Sequence, residues 1–350
     1  MRKVLPAVAI AALLFFGGAA GCKSQTEPDN ASANNAAPAT TAPQGPTGPQ
    51  PDDSAPPASA TGGFDGHRAL QQVAKQVSFG PRPAGSPALK ELQSYLKSEL
   101  TSYGCKFDAE DFNADTPAGS KPMENILVKI PGRKPEIILL GTHYDTKILD
   151  NFLGADDAGS STAVMLEIAR NLCAQPGGRY SVWIAFFDGE EATKFEWSND
   201  DSTYGSREMA ARLAASGDLP KVKVFLLADL VGGKKAHFKR DEASTALLVD
   251  EMWKVAARLG YSDVFVSEST SIGGDDHFSF TKRKVPSVDV IDLDIATDVP
   301  YWHTANDTLD KISAKSLAIA GHVFLETIKE LQAKDQFNFL RPSSPSPNRK

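Results

Sequence analysis

The chain has 350 residues, a formal charge of −7, 41% hydrophobic and 8% aromatic content, 23 prolines and three cysteines. That length allows one large α/β domain or two smaller ones with a core that folds unaided, and the acidic balance excludes the basic face of a nucleic-acid binder. Cys22, Cys105 and Cys173 are too few for a disulfide scaffold and show no zinc-type pair spacing, and the one apolar run of membrane character lies at the N-terminus, which excludes a multi-span protein.

Arg2 and Lys3 lead an apolar run from about Val4 to Phe16, and small residues then end at Cys22. Residues 1–21 therefore read as a signal segment of lipoprotein type, with cleavage before Cys22 freeing its thiol for lipidation. The expected product is exported and held to a bacterial membrane by a lipid, facing the periplasm or the exterior. From Lys23 to Gly63 there is no Val, Ile, Leu, Met, Phe, Tyr or Trp, and eight of the prolines fall between Pro28 and Pro57. Such a stretch buries too little apolar surface to offset chain entropy, so residues 22–63 are expected to be a disordered spacer. The Pro/Ser-rich tail 341–350 reads the same way, which leaves 64–340 as one folded unit.

Within that unit, Ser86-Pro87 opens an amphipathic helix to about Tyr103. Strands are expected at Asn125–Ile130 and Glu136–Gly141, a helix at Gly159–Leu172, a strand at Ser181–Phe187 and a helix at Ser206–Ala215. A strand at Val222–Leu230, a helix at Ala246–Leu259, a strand at Ser287–Asp292 and a closing helix at Ala314–Ala333 complete the pattern. Apolar strands alternating with helices imply a single-domain α/β/α sandwich with a mostly parallel central sheet.

Polar clusters follow the strands, where open α/β sheets place ligands. They are Gly141-Thr-His143-Tyr-Asp145, Gly154-Ala-Asp156-Asp157-Ala-Gly159, Phe186-Phe-Asp-Gly-Glu190-Glu191, Ala228-Asp229 and Tyr301-Trp302-His303-Thr304. Taken singly, each has an ordinary reading as a helix cap or a solvated pair. Converging at one edge, their carboxylates repel and raise one another's pKa, a conflict that a divalent ion resolves, and oxygen with imidazole donors suits zinc. Glu190 and Glu191, adjacent at a strand end, point in different directions, so one can bind metal while the other serves as general acid/base.

The order of these motifs resembles the zinc aminopeptidase clan and, within it, the glutaminyl-peptide cyclotransferases (glutaminyl cyclases). Phe186-Phe-Asp-Gly-Glu-Glu-Ala192, Trp197-Ser198 with Asp201-Ser202-x-Tyr204-Gly-Ser-Arg207, Gly80–Pro87, Gly273–Phe278 and Trp302-His-Thr304 carry the resemblance, over about Gln76 to Ile312. It implies that Asp157, Glu191 and His303 bind one Zn²⁺ per chain, that Glu190 is the general acid/base, that Asp229 holds the substrate amine and that Asp275 bonds to the catalytic Glu. Asp276 is the neighbour with which Asp275 is most easily confused. Trp302 is implied as a wall of the substrate pocket and Trp197 as an aromatic near its entrance. The implied reaction converts N-terminal glutamine of peptides or proteins to pyroglutamate with release of ammonia.

An aromatic residue present before the Trp302 position in animal enzymes is absent here, and Thr142 stands where they carry a disulfide cysteine. Cys105 and Cys173 either pair with each other or stay free. A zinc aminopeptidase is the competing reading, because His143 and Asp229 could hold a second metal beside Asp157.

Overall fold

The computed structural model describes residues 54–194 and 196–340. The expected signal segment, Cys22 with its lipid, the spacer up to residue 53 and the tail 341–350 lie outside the described residues. Described structure begins at residue 54, ahead of the boundary that composition suggested. Ala58–Ala60 form a helical turn, and Thr61 is buried with its hydroxyl donating to the Phe64 carbonyl at 2.6 Å. The boundary at Gly63 is thus corrected: a segment without large apolar residues is fixed here through its backbone, with Gly63 O also accepting from Arg170 Nη2 at 3.1 Å.

Four strands of the six-stranded sheet run parallel: β3 (Lys134–His143), β4 (Tyr180–Phe187), β5 (Val222–Asp229) and β8 (Ser287–Ile291). Their spatial order is β4-β3-β5-β8, and the antiparallel hairpin of β1 (Phe107–Thr116) and β2 (Gly119–Ile130) extends the sheet beyond β4. β6 (Phe238–Asp241) and β7 (Phe265–Thr270) form a separate parallel pair. Strand alternation sends Ile138, Leu140, Ile184 and Leu226 into the larger core and Ile137, Leu139, Ala185 and Leu227 into the smaller one.

The larger core lies under α1 (Gly66–Val77), α2 (Pro87–Ser102), α3 (Gly159–Cys173), α5 (Ala246–Arg258) and α7 (Ala314–Ala333). The opposite face carries α4 (Tyr204–Ser216) and the short α6 (His277–Thr281). This is the expected α/β/α sandwich with a mostly parallel sheet. Ser86 caps α2 through Leu89 N–H with Pro87 in the first turn, and Ser313 caps α7. Phe64 is seated flat on α7, where a Cβ on Gly321 would come within 2.1 Å of its ring, so only glycine permits that approach.

α3 leaves β3 on one face of the sheet and α4 leaves β4 on the other. The chain therefore diverges beside β3, and a crevice opens at the carboxyl ends of β4, β3 and β5. A disulfide between Cys105 and Cys173, 68 residues apart, ties the start of β1 to the end of α3 and resolves the question of their pairing. Reduction, or Cys105→Ala, is expected to lower the unfolding free energy by about 2–4 kcal/mol, read as a lower midpoint in urea unfolding with and without reductant.

Candidate active site

Each parallel strand delivers its chemistry at its carboxyl end. His143 is the last residue of β3 and Asp229 the last of β5, while Glu190 and Glu191 follow β4. The β3–α3 loop adds Asp157, and the loop before α7 adds Trp302 and His303. A cavity of about 520 Å³ is lined by Asp157, Glu190, Glu191, Asp229, Asp275, Trp197, Trp302 and His303 together with apolar residues. Every residue given a catalytic, metal or substrate role from the sequence is therefore at this cavity except His143, which is buried behind Asp157 and Asp229. Asp275 lines the cavity and its neighbour Asp276 does not.

Asp157 is the junction. Its Oδ2 lies 3.2 Å from His303 Nε2 and its Oδ1 lies 3.3 Å from His143 Nε2. Glu191 Oε1 completes one group at 3.1 Å from His303 Nε2, and Asp229 Oδ1 completes another at 3.2 Å from His143 Nε2. In Asp157, Glu191 and His303, and again in His143, Asp157 and Asp229, the potential ligand atoms lie within 4.8 Å of one another. Carboxylate oxygens and imidazole nitrogens converging at that separation, mostly buried, form a donor set that fits zinc.

Burial pushes Asp157 up, yet its hydrogen bonds with His143 and His303 outweigh this and hold it well below the usual carboxylate range. Burial opposes charge on His303, but its bonds to Asp157 and Glu191 raise it to about 9. Burial, with further pressure from Asp275, Glu191 and Asp276, drives Glu190 well above the usual carboxylate range despite the opposing pull of His143. Burial and then Asp229 raise Asp275 to about 6. Asp275 Oδ1 accepts the backbone N–H of its neighbour Asp276, and the Asp275 carboxylate acts on Glu190 electrostatically.

The sequence did not reveal what holds these groups. Asp145 accepts the backbone N–H of Glu190 at 3.0 Å with one oxygen and that of Glu191 at 3.3 Å with the other. Asp307 accepts the N–H groups of Asp156 and Asp157 at 2.8 and 3.1 Å. Asp156 turns away from the cavity to accept from Tyr301 Oη at 2.7 Å and from Gly232 N–H at 2.9 Å, anchoring the residue that precedes Trp302. Arg82 is fully buried and donates to the carbonyls of Leu153 and Gly154, fixing the loop that bears Asp157. Lys147, also buried, places its ammonium 3.4 Å from Glu191 Oε2. Asp145 lay within a noted cluster, but nothing in its type or spacing distinguishes an acceptor of backbone N–H groups from a ligand.

Trp302 stacks face to face on His303, with ring centroids 3.9 Å apart and planes 19° apart, and Phe152 meets the same imidazole edge-on at 5.9 Å. Trp197 lines the same cavity and is 38% exposed.

A doubly covered, mostly parallel sheet with this acid–imidazole cluster at its carboxyl edge defines an α/β protein of the zinc-aminopeptidase-like class. The profile of Peptidase family M28 matches residues 125–328, and the chain belongs to that family. The glutaminyl cyclase of an Acidobacteriales bacterium is 39% identical and superimposes with a TM-score of 0.73, covering 82% of this chain and 99% of that one. The glutaminyl-peptide cyclotransferase-like protein of Bos taurus is 27% identical over 277 residues, 71% of each chain. A Zn-dependent exopeptidase from Parabacteroides distasonis is 29% identical with a TM-score of 0.68, over 76% of this chain and 98% of that one. The chain is thus similar to glutaminyl cyclases within a zinc-aminopeptidase-like clan.

Asp145→Ala removes both acceptors that fix Glu190 and Glu191. The expected outcome is a 10- to 100-fold loss of metal affinity, measured by competition with a chromogenic chelator, with the fold retained by circular dichroism.

Proposed function

We propose that this protein is a zinc-dependent glutaminyl-peptide cyclotransferase, acting on peptides or proteins with N-terminal glutamine and releasing ammonia and the pyroglutamyl product. The observation that carries the reading is Trp302 lying flat on His303 at the metal-capable triad, in a chain similar to glutaminyl cyclases. Asp157, Glu191 and His303 would hold one zinc ion. When bound, it supplies Lewis-acid polarisation of the γ-carbonyl and positive charge for its oxygen.

The chain's own residues supply the remainder. Trp302 gives the glutamine side chain a flat wall and, with Trp197, limits water at the triad. Asp229 faces the cavity as an acceptor for an N–H of the neutral α-amine. Glu190 takes a proton from the α-amine as it attacks the carbon of the side-chain amide, and returns a proton to the departing nitrogen. The C–N bond of the ring forms as the bond to ammonia breaks. Since amine and amide belong to one residue, holding them in one conformer provides much of the acceleration.

The second group, His143 with Asp157 and Asp229, favours a second reading, an aminopeptidase using two metals. We also propose export and a lipid anchor at Cys22. The Cys105–Cys173 disulfide supports an oxidising compartment.

Incubation of the purified protein with Gln-Xaa and Leu-Xaa peptides is expected to yield ammonia and a pyroglutamyl peptide from the first and no change in the second. A free N-terminal amino acid from either peptide overturns the cyclase reading. Glu190→Gln is expected to lower kcat about 10²- to 10⁴-fold while stoichiometric zinc, measured by mass spectrometry, is retained. Undiminished turnover would sink the role of Glu190.

A further inference from the structure

A second large cavity among the described residues, of about 740 Å³, lies at the end of the sheet opposite the active site, where the parallel strands begin. Lys134 opens β3, Lys223 is the second residue of β5, and Arg283 and Lys284 stand in the turn between α6 and β8; all four line this groove. Lys134, Arg283 and Lys284 are exposed, as are the neighbouring Arg133 and Lys282.

The groove's four cations have neutral partners rather than carboxylates among the described residues. Arg283 Nη1 donates to Ser279 O at 2.8 Å, Lys223 Nζ donates to Pro220 O at 2.7 Å, and Lys134 Nζ lies 5.6 Å from the Tyr180 ring centroid. Of the two carboxylates at the groove, Asp335 is paired with Arg179, which leaves Glu136. In a chain with a formal charge of −7, this basal end is thus positive, while the acids of the site converge at the other end. Like charges at adjacent strand starts repel, so the cluster does not stabilise the fold; its effect is a field that attracts an anionic surface.

The floor of the groove is apolar, formed by Leu219, Val285 and Leu340. Cations around such a floor suit an amphiphile whose phosphate meets the rim while its ester and acyl carbons meet the floor, whereas a free anion gains nothing from apolar surface. The chain also enters the domain toward this end. Gly63 O accepts from Arg170 in the last turn of α3, and the 15 residues of that helix carry the contact about 22 Å away from the Asp157 loop. We propose that this basal face docks on a membrane surface of anionic phospholipids, with headgroups at Lys134, Lys223, Arg283 and Lys284. The active-site cavity, at the carboxyl ends of the strands, then faces the solution. Each cation held within a Debye length of the lipid adds to the attraction.

The proposal depends neither on the cyclase reading nor on lipidation of Cys22, because its test compares one full chain on two surfaces. Co-sedimentation of the purified full chain is measured with vesicles of phosphatidylcholine alone and of phosphatidylcholine with about one-third phosphatidylglycerol, in the wild type and in a Lys134→Gln/Lys223→Gln/Lys284→Gln variant. An N-terminal apolar run or lipid contributes on both surfaces, so the ratio of the two partition coefficients reports on charge. The expected wild-type ratio is about 10- to 100-fold at low salt, falling toward unity as the Debye length shrinks to about 3 Å at 1 M. In the variant the ratio is expected to fall about fivefold or more, with an unchanged circular dichroism spectrum. A wild-type ratio near unity overturns the proposal without need of the variant, and a ratio that the folded variant leaves unchanged overturns it as well. A ratio near unity together with retention on heparin that the variant loses assigns the face to a soluble polyanion, which also overturns it.

Discussion

The arrangement of the site depends on one carboxylate, that of Asp157, shared between two imidazoles. One oxygen faces His143 at 3.3 Å and the other faces His303 at 3.2 Å, so a small rotation of this side chain would disrupt both groups at once. A buried carboxylate is tolerated only where its partners are fixed, because desolvation costs several kcal/mol per ion. The loop that carries it is accordingly braced from two sides. Asp307, in the chain just before α7, accepts from the N–H groups of Asp156 and Asp157, and Arg82, in the segment before α2, donates to the carbonyls of Leu153 and Gly154. Burial lowers Arg82 to about 10, against the pull of Asp307, Asp145 and Asp157, which leaves it charged at neutral pH and a counterion to this acidic edge.

The division of labour between Glu190 and Glu191 follows from the same economy of backbone. Both N–H groups end on the two oxygens of Asp145, so the main chain is fixed while the side chains diverge. Glu191 turns to His303 and Lys147, and Glu190 is left facing the cavity without an ammonium partner among the described residues. The sequence position of Glu190 does not by itself provide its chemistry. That comes first from its withdrawal from water and then from the surrounding carboxylates of Asp275 and Glu191.

How legible this was in the sequence depends on which side of each residue carries the signal. The central strands and helices are legible because Ile137 to Leu140 and Ile184 to Phe187 are buried on both faces, and because Ser86-Pro87 carries its own cap. α1 was not legible: its buried face includes Gln72 and Gln76, polar residues whose bonding partners lie on other elements, such as Gly159 O for Gln76. β1 reads as a charged loop, Phe-Asp-Ala-Glu-Asp-Phe-Asn, and becomes a strand because β2 offers it a complete antiparallel ladder. Convergence of the acids was legible from their positions after strands, and the resemblance supplied their order. The supporting roles of Arg82, Asp145, Lys147 and Asp307 were not, since each acts through backbone groups or a charge brought close only by folding.

The donor set is compatible with two chemistries, and the walls bear on the choice between them. A peptidase needs an activated water and room for a peptide bond beside it, whereas cyclisation needs the substrate's amine and amide to meet with water held away. Trp302 flat on His303, Phe152 edge-on to the same ring and Lys147 held against Glu191 make that side of the triad rigid and narrow. Asp229, already paired with His143, also lines the cavity, where a substrate amine has a carboxylate to meet. Such an enclosure restricts the conformers of one side chain more than it accommodates an extended backbone. On the proposed reading, the same ligand residues serve hydrolysis where the site is wider and cyclisation where aromatic walls close on the triad, the walls rather than the acids making the distinction.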